Sequence, residues 1–145
     1  MTREVIALNA AWAWTGVAFA EVIAHSLMGH MLVVDEAGTY HYVDPDLGEV
    51  TALGNEDAAR AHMDRAETIA IWRADALVDA AAKRLGPPAL GEVYSLTPQA
   101  LVAGDYREEN LVRIDFVRLI QITGEIARQT RDLPEGALVN IKVVD

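Results

Sequence analysis

Apolar and polar positions in the first third of the chain predict β-strands. Residues 27–34 form an apolar run that becomes β-branched at its end, and residues 39–43 have the aromatic and β-branched content of a strand. An acidic turn with a glycine, residues 35–38, joins them into a hairpin. A second turn at residues 44–48 leads to a third strand at residues 49–53. The pattern therefore predicts an antiparallel meander.

Beyond this meander the apolar residues recur at steps of three and four, which is the helical period. Asn55 can cap a helix that ends near Arg65. A longer helix is predicted over residues 68–85, because a glycine and two prolines follow it. Asp115 can cap a third helix that ends near Thr130. These three segments supply the main helices of the predicted fold.

The remaining segments complete the expected topology. Residues 4–14 predict a first helix, and residues 18–25 fit either a short helix or an extended segment. Strands are expected at residues 92–96 and 138–144, and a short extended piece at residues 110–114. In the last predicted strand, valine and isoleucine alternate with polar residues, so one face is expected to be buried.

These elements predict an α+β fold with one antiparallel sheet, made of the N-terminal meander and a C-terminal strand and packed by about three main helices. The chain has 145 residues, which suits one domain covering residues 1–145. No linker or repeat divides it.

The chain contains no cysteine, which excludes a disulfide scaffold, a thiolate zinc site and a cysteine nucleophile.

The N-terminal stretch supports two interpretations. Residues 5–34 contain one charged residue, Glu21, and residues 18–20 (Ala-Phe-Ala) are typical of a signal-peptidase site. However, the negative charge of Glu4 cancels the positive charge of Arg3, so the positively charged N-terminal region of a signal peptide is missing. A membrane helix is disfavoured because ionisable residues and two glycines interrupt the run. We therefore favour the first helix and strand of a soluble domain.

The net charge of the chain limits the classes of partner that we expect. It has 22 acidic and 12 basic residues, a net charge of −10. Nucleic acids and anionic membranes both attract basic surfaces, so neither is expected as a partner. Residues 35–67, the acidic segment, contain nine acidic and two basic residues and hold −7 of this charge. The segment is either a solvated face or a surface for a basic partner.

The usual catalytic motifs are missing from the sequence. His25, His30 and His41 are the histidines that in principle approach a metal-binding arrangement, but their spacing matches no standard ligand set and no carboxylate is an obvious further ligand. We therefore predict no metal and no cofactor. Paired acids in turns are more often turn formers than general acids. An alternative function is a small enzyme or ligand-binding protein, with a pocket lined by Trp12, Trp14, His30 and Tyr40.

Several short motifs occur together in a familiar order. They are Ala-Trp-Ala-Trp-Thr-Gly at 11–16, Asp-Glu-Ala-Gly-Thr-Tyr at 35–40, Trp72 with Leu77 and Val78, Gly-Asp-Tyr at 104–106 with Asn110 and Leu111, Gly-Glu-Ile-Ala at 124–127 with Gln129, and Asp-Leu-Pro-Glu-Gly at 132–136. In this order and spacing the chain, over about residues 11–145, resembles the type VI secretion immunity proteins that protect a bacterium from its own DNase effector. The part resembled is their C-terminal domain, formerly a domain of unknown function.

The resemblance implies a cytoplasmic binding protein and not an enzyme. Such a protein neutralises a cognate toxin by stoichiometric association and needs no cofactor. A nuclease toxin presents basic surface to its own substrate, and an acidic protein can occupy that surface. The charge distribution, and not the resemblance, suggests where the toxin binds. The predicted partner-binding residues are the acids of the hairpin and its following turn: Asp35, Glu36, Asp44, Asp46 and Glu49.

Overall fold

Two antiparallel sheets and six α-helices make up the part of the chain that the computed structural model describes, residues 1–103 and 105–133. The strands are β1 (Phe19–His25), β2 (Met31–Asp35), β3 (Tyr40–Asp44), β4 (Glu49–Gly54), β5 (Glu92–Leu96) and β6 (Leu111–Asp115). The helices are α1 (Arg3–Ala11), α2 (Glu56–Met63), α3 (Ala66–Arg73), α4 (Asp75–Leu85), α5 (Ala100–Ala103) and α6 (Phe116–Thr130). The predicted α+β fold is confirmed.

The first sheet is the predicted meander, in the order β1-β2-β3-β4. Val33 of β2 pairs with His41 of β3, and Tyr42 of β3 pairs with Thr51 of β4. The segment at 18–25 takes the extended alternative and becomes β1. β2 begins later than the predicted strand because residues 26–29 form a tight turn, in which Gly29 has a φ of 82° that favours glycine.

α1 and α6 pack on this sheet and enclose the main core. Asp115 caps α6 as predicted, since its carboxylate accepts a hydrogen bond from the Arg118 backbone N–H. Trp12 is fully buried, and its indole Nε1–H donates to the Ile120 carbonyl at 3.0 Å. Gly124 lets α6 approach the end of α1, because a Cβ there would lie 2.6 Å from the Ala11 carbonyl oxygen.

The predicted helix over residues 68–85 is wrong as a single helix. It is divided into α3 and α4 at Ala74, whose backbone is left-handed with a φ of 45°. Alanine favours helices, so the sequence carries no sign of this break. A single helical turn, α5, follows β5. The predicted C-terminal strand at residues 138–144 lies outside the described residues.

A second, smaller core lies between α4 and the β5–β6 sheet. Its buried residues are Met28, Ala81, Tyr94, Leu96, Ala100 and Leu111. The Tyr94 backbone N–H donates to the Leu27 carbonyl at 2.8 Å, which ties this sheet to the turn between β1 and β2. Among the described residues, no helix has the length and apolar character needed to cross a bilayer.

Candidate functional site

The five predicted partner-binding acids occupy two turns at opposite ends of β3. Asp35 and Glu36 lie in the β2–β3 turn, and Asp44, Asp46 and Glu49 lie in or beside the β3–β4 turn. A strand of this length spans about 16 Å at 3.3 Å per residue. The structure therefore brings the acids together as two groups and not as one.

Asp35 is held by the β2–β3 turn that it forms. Its Oδ1 accepts hydrogen bonds from the backbone N–H groups of Ala37 and Thr39, both at 2.9 Å. Its Oδ2 lies 2.8 Å from the His41 Nε2. These bonds, above all the one from His41, hold the pKa of Asp35 below its usual value. Glu36, next to it, is exposed.

The β3–β4 turn places two carboxylates beside a buried histidine. The Asp44 Oδ1 accepts from the backbone N–H groups of Asp46 (2.9 Å) and Leu47 (3.1 Å), which fixes the turn. The His30 Nε2 lies 3.1 Å from Asp46 Oδ2 and 3.9 Å from Asp44 Oδ1. Burial raises the pKa of Asp44, and the nearby His30 opposes part of that rise.

The hydrogen bonds of His30 fix the roles of its two ring nitrogens. Only 3% of the residue is exposed. An ionised carboxylate only accepts, so Nε2–H donates to Asp46, and in the neutral ring Nδ1 accepts from the Tyr42 hydroxyl at 2.9 Å. The Tyr106 hydroxyl donates to the same Asp46 oxygen at 3.3 Å. Burial raises the pKa of Tyr42, and it raises that of Tyr106 to about 12, so both phenols stay protonated donors near neutral pH.

A cavity of about 270 Å³, the turn cavity, opens beside these polar groups. It is lined by the polar residues His30, Asp44, Asp46 and Tyr106 and by the apolar residues Met28, Leu47, Ile71, Ala74 and Leu77. Leu47 and Ile71 are 58% and 53% exposed. Because Ala74 is the break between α3 and α4, the same left-handed residue that ends the predicted long helix also shapes this cavity.

The structure also supplies carboxylates that the sequence did not place beside a histidine. One ligand atom each from His30, Asp44 and Asp46 lies within 4.8 Å of the others, a separation that a metal ion could bridge. Met31 pairs with Val43, so His30 and Asp44 sit opposite each other at the open end of the hairpin. No pattern within one segment of the sequence indicated that these residues meet. His41 lies at the turn end of the hairpin, bonded to Asp35.

The four residues of the alternative pocket do not line one cavity. Trp12 is a fully buried core residue. Trp14 lines a separate groove with Glu49 and Arg131, and its indole N–H donates to the Gly124 carbonyl. His30 lines the turn cavity instead. Tyr40 starts β3 and pairs with Val34.

Comparison with known structures supports the architecture. The chain is similar to the crystal structure of Atu4351 from Agrobacterium tumefaciens, with a TM-score of 0.55 and 19% sequence identity. The match covers 84% of this chain and 62% of that chain, so the chain spans less than two thirds of that protein's length. At this identity the likeness shows the fold alone. No family model matches the chain, and no curated protein matches it significantly.

Proposed function

We propose that the protein binds and neutralises a basic protein toxin by stoichiometric association in the cytoplasm, as the resemblance to type VI secretion immunity proteins implies. The observation that carries the proposal is the exposure of the acidic segment. Six of its nine acidic residues are exposed: Glu36, Glu49, Glu56, Asp57, Asp64 and Glu67. The segment thus presents its charge to solvent and to any approaching partner.

The two basic residues of the segment do not cancel this charge. Arg60 pairs with Glu56 at 2.7 Å and Arg65 with Glu67 at 3.4 Å, and both pairs are exposed. Each arginine is thus engaged with one neighbouring acid, and the segment keeps a net charge of −7. Exposed pairs of this kind contribute little to stability, so the acids are free of a large structural role there.

Charge of this sign suits a toxin that acts on a nucleic acid. A nuclease needs a basic surface to hold its phosphate backbone, and an acidic protein competes for that surface. Complementary charge raises association rates by about 10- to 1,000-fold and makes them depend on salt. A neutralising protein benefits because it must reach the toxin before the toxin reaches its substrate.

Co-expression with the product of the neighbouring gene tests the proposal. We expect the protein to restore growth of cells that express a toxic neighbour and to co-purify with it at a 1:1 ratio. Rescue without a complex, or neither rescue nor complex, would refute stoichiometric neutralisation for that pair.

A charge-matched pair of variants tests whether the acidic segment is the surface involved. Reversal of three of its exposed acids, Glu36→Lys, Glu49→Lys and Asp57→Lys, is expected to weaken binding about tenfold or more and to flatten its salt dependence. The control makes the same change in net charge outside the segment, at the exposed residues Glu21, Asp79 and Glu109. Equal losses in both variants would show that only net charge matters.

A further inference from the structure

The turn cavity combines half-buried carboxylates with exposed apolar residues. Asp44 uses its Oδ1, and Asp46 its Oδ2, in the bonds to the turn, His30 and Tyr106. Within the described part of the chain, no residue donates a hydrogen bond to Asp44 Oδ2 or to Asp46 Oδ1. Within that part of the chain, each carboxylate has one acceptor oxygen that is available to a ligand.

The size of the cavity limits what can fill it. Sites for small molecules and cofactors have volumes of about 300–1,000 Å³. The turn cavity, at about 270 Å³, lies below that range and suits a group of the size of one amino-acid side chain. Its apolar lining, including Leu77 and Ile71, suits an alkyl stem, and its carboxylates suit a cationic end.

The mouth of the cavity has the character of a protein interface. Leu47 and Ile71 are large apolar residues that are more than half exposed, and both line the cavity. Exposed apolar residues rimmed by charge are typical of protein interaction sites. Energetically dominant contacts in such sites are often arginines that enter pockets of the partner.

We propose that the turn cavity is an anchor pocket for one arginine side chain of the basic partner protein. This inference rests on the proposed function and names its central contact. The guanidinium donates hydrogen bonds to Asp46 Oδ1 and Asp44 Oδ2, and its alkyl stem lies along Leu77 and Ile71. Arginine fits better than lysine because its planar fork supplies several donors to two separate oxygens at once.

The same residues favour a guanidinium over a metal ion. To ligate a metal, His30 must offer Nε2 as a free lone pair, whereas a neutral ring beside an ionised Asp46 carries its hydrogen on that nitrogen. Metal binding would shift the ring hydrogen to Nδ1, and the Tyr42 hydroxyl would then lose the acceptor it now has. A guanidinium leaves both bonds of His30 in place.

A first experiment uses the isolated protein and a small probe. Titration with butylguanidinium, followed by NMR, is expected to give saturable shifts at Leu77 and Tyr106, with butylammonium binding more weakly. The Asp44→Asn/Asp46→Asn variant should weaken butylguanidinium binding at least tenfold. Asparagine keeps a side-chain oxygen for the turn and for His30, and a thermal melt checks that the variant is folded.

The matched control is Glu21→Gln/Asp79→Asn, which removes the same charge at exposed residues outside the cavity and outside the acidic segment, and it should leave butylguanidinium binding within twofold. Equal weakening by both variants would overturn the pocket. So would the absence of saturable shifts. Stoichiometric Zn²⁺ binding that displaces butylguanidinium and is lost in Asp44→Asn/Asp46→Asn would also overturn it, in favour of a metal site.

A second experiment identifies the source of the arginine in the complex. Asp46→Asn is expected to weaken the partner complex at least tenfold, and one arginine of the partner should show a coupling of about that size with Asp46 in a double-mutant cycle. A complex that forms with unchanged affinity in Asp46→Asn overturns the anchor pocket and leaves the proposed function standing. If no complex forms, the proposed function fails. Butylguanidinium binding would then assign the cavity to a free cation, which overturns the partner's side chain as its occupant.

Discussion

The substitution Gly124→Ala tests whether steric overlap or helix propensity determines the change in stability at this position. Gly124 is buried in α6, and a Cβ added there would lie 2.6 Å from the Ala11 carbonyl oxygen and 2.7 Å from the Trp12 Cδ1 and Nε1. Real Cβ atoms essentially never approach so closely, and one of the contacts is backbone. Gly124→Ala must therefore push α1 and α6 apart, whereas helix propensity alone would make the variant more stable.

The magnitude follows from these opposing terms. Forcing extra atoms into a packed contact costs about 1–3 kcal/mol. Loss of the hydrogen bond from the Trp12 indole to the Ile120 carbonyl costs about 1 kcal/mol more. The gain in helix propensity from glycine to alanine returns about 1 kcal/mol. Gly124→Ala should thus lower the free energy of unfolding by about 1–3 kcal/mol, which lowers Tm by about 2–12 °C.

Urea unfolding followed by far-UV circular dichroism measures this change. Gln121→Ala on the exposed face of α6 is the control for helix propensity and should stay within about 0.5 kcal/mol of the parent. In a Trp12→Phe background, which removes the indole N–H, Gly124→Ala should cost less than it does alone. A more stable Gly124→Ala variant would refute the close approach of α1 and α6.

Three further variants test the turns and the helix break. The pKa of Asp44 is raised on folding, so its ionisation costs stability as pH rises above about 3.8. Asp44→Asn should therefore be at least as stable as the parent at pH 7, and urea unfolding should show that this advantage vanishes below about pH 3.8. The pKa of Asp35 is lowered on folding, chiefly by His41, so the ionised carboxylate contributes to stability above about pH 3.8. Asp35→Asn should be less stable than the parent at pH 6, and the difference in urea unfolding should shrink as pH falls below about 3.8. Ala74→Gly should cost less in urea unfolding than Ala82→Gly, which loses about 1 kcal/mol, because Ala74 already occupies a left-handed conformation that glycine adopts freely; equal costs would contradict the left-handed break.

The parts of the fold that could be predicted are those fixed by local chemistry. The hairpin was predictable because Asp35 and Gly38 form its turn through their own backbone and side-chain bonds. Helix α6 was predictable because its cap at Asp115 and its apolar face lie within the helix itself. In each case the signal and the structure it determines are a few residues apart.

The parts that could not be predicted depend on contacts between distant segments. The break at Ala74 has no breaker residue, and Ala74 packs against the second core, whose members come from distant segments. The turn cavity joins the β1–β2 turn, the β3–β4 turn, both sides of the α3–α4 break and Tyr106. No periodicity within one segment reports such a meeting. His30 was visible in the sequence, but its two carboxylates became neighbours only through the register of the hairpin.

The two acidic turns also show that forming a turn and binding a partner compete for the same oxygens. Asp35 uses Oδ1 for two backbone N–H groups and Oδ2 for His41, so both its oxygens are committed to the fold. Asp44 and Asp46 each use one oxygen for the fold, and among the described residues none donates to the other oxygen, beside a cavity with exposed apolar residues. We therefore expect Asp35→Asn to lower stability with little effect on partner affinity, measured by calorimetric titration. Asp46→Asn should lower affinity with little effect on stability. The reverse assignment would contradict the principle that only uncommitted acceptor oxygens contribute to binding.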